Sequence, residues 1–279
     1  MTHHPTRPQI KRRKLILSII AIACLPLSAC GPKDNSNETR ETMGGGKIYP
    51  TYRYRLTVEV DTPEGLKTGS SVIEVATSKG NKFAIPSPGS LSYKVRGEAV
   101  TVDLGARGLM FALLRSDESS DWAAGAFEAM APETTIKERM KSDDAYGDSR
   151  AAALLLKGPQ VVPRWREPYR SATKQPRSGY PMLVRFADIA DPRTVAKVDP
   201  DALAASFGKG VTLRRITVER TEDAVTSGIE GRLPDAFWQR WVAIHEGELR
   251  KPGGAINNPY FNTFSAKISR NDFSKEFNK

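Results

Sequence analysis

Alternation of apolar and polar side chains marks the start of the main body of the chain. Over residues 51–60, every even position is apolar or aromatic and every odd position is polar or charged. A period of two sustained over ten residues predicts a β-strand with one buried face. Shorter alternating runs follow at residues 71–77, 91–95 and 100–104. Strands this close together, joined by short turns, predict an antiparallel meander.

The segment after the meander is apolar at every position. Residues 109–114 read LMFALL, and because neighbouring side chains on a strand point to opposite faces, this run predicts a central strand covered on both sides. Later strands are predicted at residues 182–186 and 211–220. The second of these needs a β-bulge near Arg214 or Arg215, since its apolar positions change parity between Leu213 and Ile216.

Helical patterns occur after the meander and again near the end of the chain. One helix is predicted to start near Asp121 and another at a Thr135–Glu138 capping box. Three more are predicted over residues 149–157, 199–208 and 235–249. The last has one wide apolar stripe, formed by Phe237, Trp238, Trp241, Val242, His245 and Leu249.

These elements predict an α+β fold with a mainly antiparallel sheet, an N-terminal meander and several short helices. The body, residues 47–279, is long enough for one large domain or two small ones. The proline-rich stretch 158–181 is the plausible boundary. Both sides of it are too poor in strands to close alone, so we predict a single domain.

The first 30 residues have the organisation of an export signal. A basic cluster at residues 11–14 precedes an apolar run of about a dozen residues, whereas a membrane-spanning helix needs roughly 20. The run ends in Leu-Ser-Ala-Cys at residues 27–30. Alternatives are an ordinary cleaved signal or a short anchor. Arg12-Arg13 is only a weak twin-arginine signal, because the residues that follow are too apolar, so general secretion is favoured.

Leu27-Ser28-Ala29-Cys30 resembles the lipobox of bacterial lipoproteins. The resemblance implies cleavage after Ala29 and two or three acyl chains, such as palmitate, on Cys30. Because Gly31 rather than aspartate follows the cysteine, the family's sorting preference implies the outer membrane, with the body facing the periplasm of a Gram-negative host. The predicted layout is a signal peptide at 1–29, a lipidated cysteine with a flexible tether at 30–46, and the globular domain at 47–279. Such a tether reaches about 20–25 Å.

Loss of the signal changes the charge of the working protein. The whole chain carries a formal charge of +10, but residues 1–29 contain five basic residues and no acid, so the mature charge is +5. This charge gives mild attraction to anionic surfaces and does not argue for nucleic acid, which we do not expect as a partner.

The distribution of cysteine and histidine excludes several chemistries. Cys24 leaves with the signal and Cys30 carries the lipid, so the body has no thiol for disulfides, metal or nucleophilic attack. His245 is the only histidine of the mature chain, which excludes multi-histidine metal sites and leaves a serine triad only if His245 is the base. We therefore predict no metal and no cofactor, and we assign no catalytic residue.

Two further clusters have simpler explanations than a site. His245-Glu246 lacks a second histidine four residues on, where Leu249 stands, and lies on the apolar stripe, which favours a packed histidine. The acidic residues around Gly147 lack the alternation of a calcium loop and fit a solvated loop better.

Residues 180–234 contain two long motifs, FADIADPRTV at 186–195 and VDPDALAASFG at 198–208. Together with residues 53–75, they resemble a recurrent family of uncharacterised bacterial proteins. The resemblance covers roughly the first and last thirds of the body. The family has no assigned activity, so it implies no function and no site residue.

The strongest candidate for ligand binding is the segment RWREPYR at residues 164–170. Guanidinium groups and aromatic rings alternate there in a way that suits an anionic polymer, a lipid headgroup or a sugar phosphate. The alternative is a surface loop whose rings pack on the body. The candidate contact residues are Arg164, Trp165, Arg166, Tyr169 and Arg170.

The sequence favours a non-catalytic, membrane-tethered lipoprotein over an enzyme. Its expected partners are the membrane, through the anchor, and an envelope protein or anionic envelope polymer. The alternative is a hydrolase that cleaves glycan or peptidoglycan with carboxylates alone. That alternative predicts a cleft with two facing acids, at least one with a raised pKa. A third hypothesis is an accessory protein for enzyme assembly or secretion.

Overall fold

A computed structural model describes Met1 and residues 38–83, 87–132, 142–166 and 177–276. The fold described below belongs to the compact unit Ser36–Lys279. Its strands, in chain order, are β1 (Arg40–Thr42), β2 (Gly46–Thr62), β3 (Gly65–Lys79), β4 (Leu91–Glu98), β5 (Val100–Asp103), β6 (Leu109–Ala112), β7 (Gln160–Val161), β8 (Trp165–Arg166), β9 (Arg177–Ser178), β10 (Leu183–Phe186), β11 (Val195–Val198), β12 (Thr212–Arg220) and β13 (Ser274–Lys275). Its α-helices are α1 (Trp122–Gly125), α2 (Ala145–Leu154), α3 (Leu203–Phe207), α4 (Asp235–Leu249), α5 (Gly254–Asn257) and α6 (Arg270–Phe273).

The larger sheet is antiparallel and built around the long β2–β3 hairpin. Its strand order is β13-β4-β3-β2-β12-β7, with β1 beside β2. The alternation predicted for β2 is confirmed, because Tyr54, Leu56, Val58 and Val60 are fully buried on one face. The bulge predicted in β12 is also present, since its register with β2 shifts between Leu213 and Arg215.

The smaller sheet, in the order β11-β10-β6-β5, forms the middle layer of the domain. One face packs on the larger sheet through Met110, Ala112 and Leu114. The other face packs on α4 through side chains such as Phe111 and Leu113. The prediction that residues 109–114 form a central, covered strand is therefore confirmed for β6. The whole is the predicted α+β fold.

A glycine allows the smaller sheet to cross the larger one. A Cβ atom at Gly69 on β3 would lie 2.2 Å from the carbonyl oxygen of Thr101 on β5. No other residue has so small a side chain, so the close approach of these two backbones requires glycine.

The start of the domain differs from the prediction. Residues 40–46 were assigned to a flexible tether, but β1 pairs with β2 and the intervening glycines form the turn. Gly44 and Gly45 adopt φ angles of 82° and 79°, and Gly45 donates to the Thr42 carbonyl at 3.1 Å. Gly44 and Gly45, which the sequence placed in a linker, are therefore turn residues.

The shorter helices also depart from their predicted bounds. Helix α2 begins at Ala145, four residues before the predicted start, with Asp144 as its N-cap. Helix α3 keeps only 203–207 of the predicted 199–208, because Asp199 accepts a bond from the Asp201 N–H in a turn instead. The predicted helix over 235–249 is confirmed as α4. The Thr135–Glu138 capping box lies outside the described residues.

Candidate functional site

Helix α4 positions the aromatic side chains that line a cavity of about 860 Å³. The helix begins directly after Pro234, whose fixed φ suits a helix start. Phe237, Trp238 and Trp241 fall on one helical face and are buried against the smaller sheet. The Trp238 and Trp241 rings stack, with centroids 5.4 Å apart and planes 19° from parallel. Their outer edges form the floor of a groove.

This groove, the α4 groove, has a volume of about 860 Å³ and runs between α4 and residues 266–270. Its apolar lining consists of Trp238, Trp241, Val242, Ala243, Ala266 and Ile268. Polar side chains stand at its rim, where Arg270 and Asp235 form an ion pair of 2.9 Å. An apolar floor with a few polar groups at the edge is the usual character of a ligand site.

His245 closes the lining at the other end of the α4 groove. It is half-buried, and its ring meets those of Phe261 and Tyr260 edge to face at 5.1 and 6.0 Å. The neighbouring Glu246 is paired with Arg250 at 3.1 Å. This arrangement is the packed histidine that the sequence favoured. Within the described residues, no group of three or more His, Cys, Asp or Glu side chains could hold a metal ion.

The predicted contact residues Arg164 and Trp165 lie at a second cavity, of about 460 Å³. Arg164 donates to both carboxylate oxygens of Asp201, with Nη2 at 2.9 Å, and to the Ser178 hydroxyl at 2.7 Å. Its guanidinium lies 4.0 Å from the centre of the exposed Trp165 ring. Because Arg164 is already neutralised by Asp201, an anionic ligand would have to displace that carboxylate.

The remaining predicted contact residues are not brought into this cavity by the described structure. Arg166 pairs with Arg177 across the β8–β9 ribbon and does not line the cavity. Burial lowers the pKa of the Arg166 guanidinium to about 10. Tyr169 and Arg170 lie outside the described residues.

A buried ion pair that the sequence did not reveal joins α2 to the larger sheet. The Arg150 guanidinium contacts Glu128, donates to the Pro50 carbonyl, and donates to the Thr77 hydroxyl at 3.2 Å. It also stacks 4.5 Å from the centre of the Tyr52 ring. Pro50 lies where the register of β2 shifts between Tyr49 and Tyr52, so Arg150 satisfies a carbonyl that this irregularity leaves without its regular ladder partner.

Glu128 is the one carboxyl among the described residues whose pKa is raised. Burial raises that pKa, against the opposing charge of Arg150 and a hydrogen bond from the Tyr146 hydroxyl at 3.0 Å. Glu128 lines neither the α4 groove nor the Arg164 cavity. Its carboxylate forms a buried ion pair with Arg150.

Comparison of the chain with protein-family models, curated proteins and solved structures gives no match. No helix within the described part of the chain has both the length and the apolar character needed to cross a bilayer.

Proposed function

We propose that the protein is a lipid-anchored, non-catalytic protein of the Gram-negative cell envelope, whose domain binds another envelope protein in the α4 groove. The anchor is supported by the Leu27–Cys30 motif after a basic and a short apolar region. An acylated Cys30 would hold the domain at the periplasmic face of the outer membrane. Two or three acyl chains give stable anchoring, whereas one chain binds only marginally.

The observation that carries the binding proposal is the paired tryptophan floor of the α4 groove. Trp238 and Trp241 are each only 5% exposed and are fixed by the core behind them, so a ligand would meet their outer edges, with the exposed Val242 beside them, on a surface that needs no ordering. Aromatic anchors with a polar rim are typical of the centre of protein interfaces. From Asp235 to Glu246 the helix rises about 16 Å, which matches about three turns of a helix lying in the groove.

The placement of the carboxylates favours binding over hydrolysis. The acids of the α4 groove, Asp235 and Glu246, stand eleven residues apart on one helix and do not face each other across it. Asp235 is also neutralised by Arg270. The hydrolase alternative needs two acids within about 5–10 Å of each other across a cleft.

Photocrosslinking in cells tests the α4 groove as a binding surface. A photoreactive amino acid at Val242, which is 55% exposed, is expected to form one discrete adduct with a second protein. The same group at Val161, which is 58% exposed on β7, is the matched control and is expected to give none.

A second substitution makes that experiment decisive. Ala243→Arg places a long charged side chain in the groove without disturbing the core, and we expect it to reduce the Val242 adduct at least tenfold. Val161→Arg should leave the adduct unchanged. Equal crosslinking from both positions, or an adduct that Ala243→Arg does not reduce, would contradict the proposed site.

A further inference from the structure

Three apolar side chains are exposed at the corner where the chain enters the domain. Met43, in the β1–β2 turn, is 98% exposed, and Phe83, in the β3–β4 connection, is 74% exposed. Ile48 on β2 is also exposed beside them. Large apolar side chains on neighbouring turns are costly in water unless a partner covers them. We refer to Met43, Ile48 and Phe83 as the entry corner.

Asn81 brings the two turns of the entry corner together. Its side-chain oxygen accepts a hydrogen bond from the Phe83 N–H at 2.9 Å. Its side-chain nitrogen lies 3.0 Å from where a Cβ of Gly44 would be, so it packs directly on the residue after Met43. Strand pairing also brings Ile48 of β2 to this corner, because it lies opposite Ser78 of β3 on one side and Arg40 of β1 on the other. The corner is therefore one surface built from adjacent strands.

The charges around the entry corner are mixed, with a basic component next to the apolar side chains. The Lys82 ammonium lies 5.8 Å from the Phe83 ring centre, and Arg40 is exposed on β1. Glu38 and Glu41 are also exposed in this part of the chain. Lys47 and Lys79 are both paired with Asp144, at 2.8 and 3.4 Å. Attraction to anionic headgroups is thus modest, and apolar insertion must supply most of the affinity.

The number of residues between Cys30 and the entry corner indicates which kind of partner this surface meets. Only residues 31–39 separate Cys30 from β1. Nine residues reach at most about 30 Å when fully extended and about 15–18 Å on average. If Cys30 is embedded in a bilayer, as the proposed function requires, the entry corner is the part of the domain held nearest to that bilayer. Tethering also raises its local concentration, so weak affinity is sufficient.

We propose that the entry corner docks on the lipid bilayer, with Met43 and Phe83 inserted into the interfacial region and Lys82 at the headgroups. Lipid-anchored domains combine an acyl chain with a second, weaker membrane contact in this way. Docking would fix the orientation of the domain relative to the bilayer.

The test uses the mature chain with Cys30→Ser, which cannot be acylated, so its outcome does not depend on the anchor. Flotation with phosphatidylethanolamine–phosphatidylglycerol vesicles measures binding, and phosphatidylcholine vesicles measure it without anionic headgroups. The Met43→Ser, Phe83→Ser double variant is expected to bind at least tenfold more weakly, because each lost side chain removes buried apolar area. The matched control is Leu155→Ser, Ile256→Ser, whose wild-type side chains are 75% and 93% exposed elsewhere and should not matter.

A spectroscopic readout distinguishes insertion from surface attraction. Because the body has no cysteine, a single cysteine at position 43 or 83 can be labelled with an environment-sensitive fluorophore. We expect a blue shift with vesicles at both positions and none at position 155. No vesicle binding, equal binding by the two double variants, or binding without a blue shift would overturn the proposal. An acylated Cys30 together with a negative vesicle result would reject the docking and leave the proposed anchor intact.

Discussion

Replacing Arg150 by methionine is expected to lower the free energy of unfolding by about 3–5 kcal/mol, as measured by urea denaturation. Arg150 is buried, contacts Glu128, and donates to the Pro50 carbonyl at the irregularity in β2. Removing it leaves a buried carboxylate without a counter-charge and a buried carbonyl without a donor. Arg250→Met is the matched control, because Arg250 forms an exposed pair with Glu246, and it should cost less than about 1 kcal/mol.

The pH dependence of the same variant identifies the cause. Burial already raises the pKa of Glu128 above its usual value of 4.5, and without Arg150 the opposing charge is lost, so the pKa rises further. A carboxyl with a raised folded-state pKa adds stability below its unfolded pKa and loses that stability as the pH rises through its folded pKa. The difference from wild type should therefore shrink at acidic pH. Adding Glu128→Leu should restore most of the stability at neutral pH, and an Arg150→Met cost equal to that of Arg250→Met would refute this account.

Cys30→Ser is expected to move nearly all of the protein from the membrane fraction to the soluble fraction of a Gram-negative host. The reason is that the mature chain retains no other sulfhydryl that could carry the diacylglyceryl group. Cys24→Ser is the matched control, since Cys24 lies in the apolar region of the proposed signal and would be removed with it. Since the entry corner is proposed to add a weak membrane contact of its own, the fraction is also measured with Met43→Ser and Phe83→Ser added. Sedimentation of that triple variant with membranes would show that something other than a thioether-linked lipid holds the protein there.

The sequence correctly predicted those parts of the fold that follow from the spacing of apolar residues within a single strand or helix. The buried face of β2, the fully covered strand β6 and the bulge in β12 all follow from side-chain period and parity. The apolar stripe of α4 correctly predicted Phe237, Trp238 and Trp241 as core residues, whereas Val242 and Leu249 of the same stripe are exposed. By contrast, the glycines at 44–46 look alike in a linker and in a turn, and only the pairing of β1 with β2 distinguishes the two.

The candidate site depended on contacts that a sequence cannot display. Trp238 and Trp241 read as core residues, which they are, but the groove exists only because residues 266–270 pack beside α4. From the sequence, the Arg164 guanidinium is a candidate contact for an anionic ligand. In the structure it is already paired with the carboxylate of Asp201, 37 residues later in the chain. The buried position of Arg150 could not be predicted, because its partners, Glu128 and the Pro50 carbonyl, come from distant parts of the chain.

The mass of the N-terminal peptide tests the central claim of a lipid anchor most directly. Protein purified from host membranes and digested with trypsin should yield a peptide that begins at Cys30 and ends at Lys33. The account predicts that this peptide carries a diacylglyceryl group on sulfur, with or without a further acyl chain on its amino terminus. A peptide with an unmodified Cys30 sulfur, or a mature chain that begins at any other residue, would contradict it.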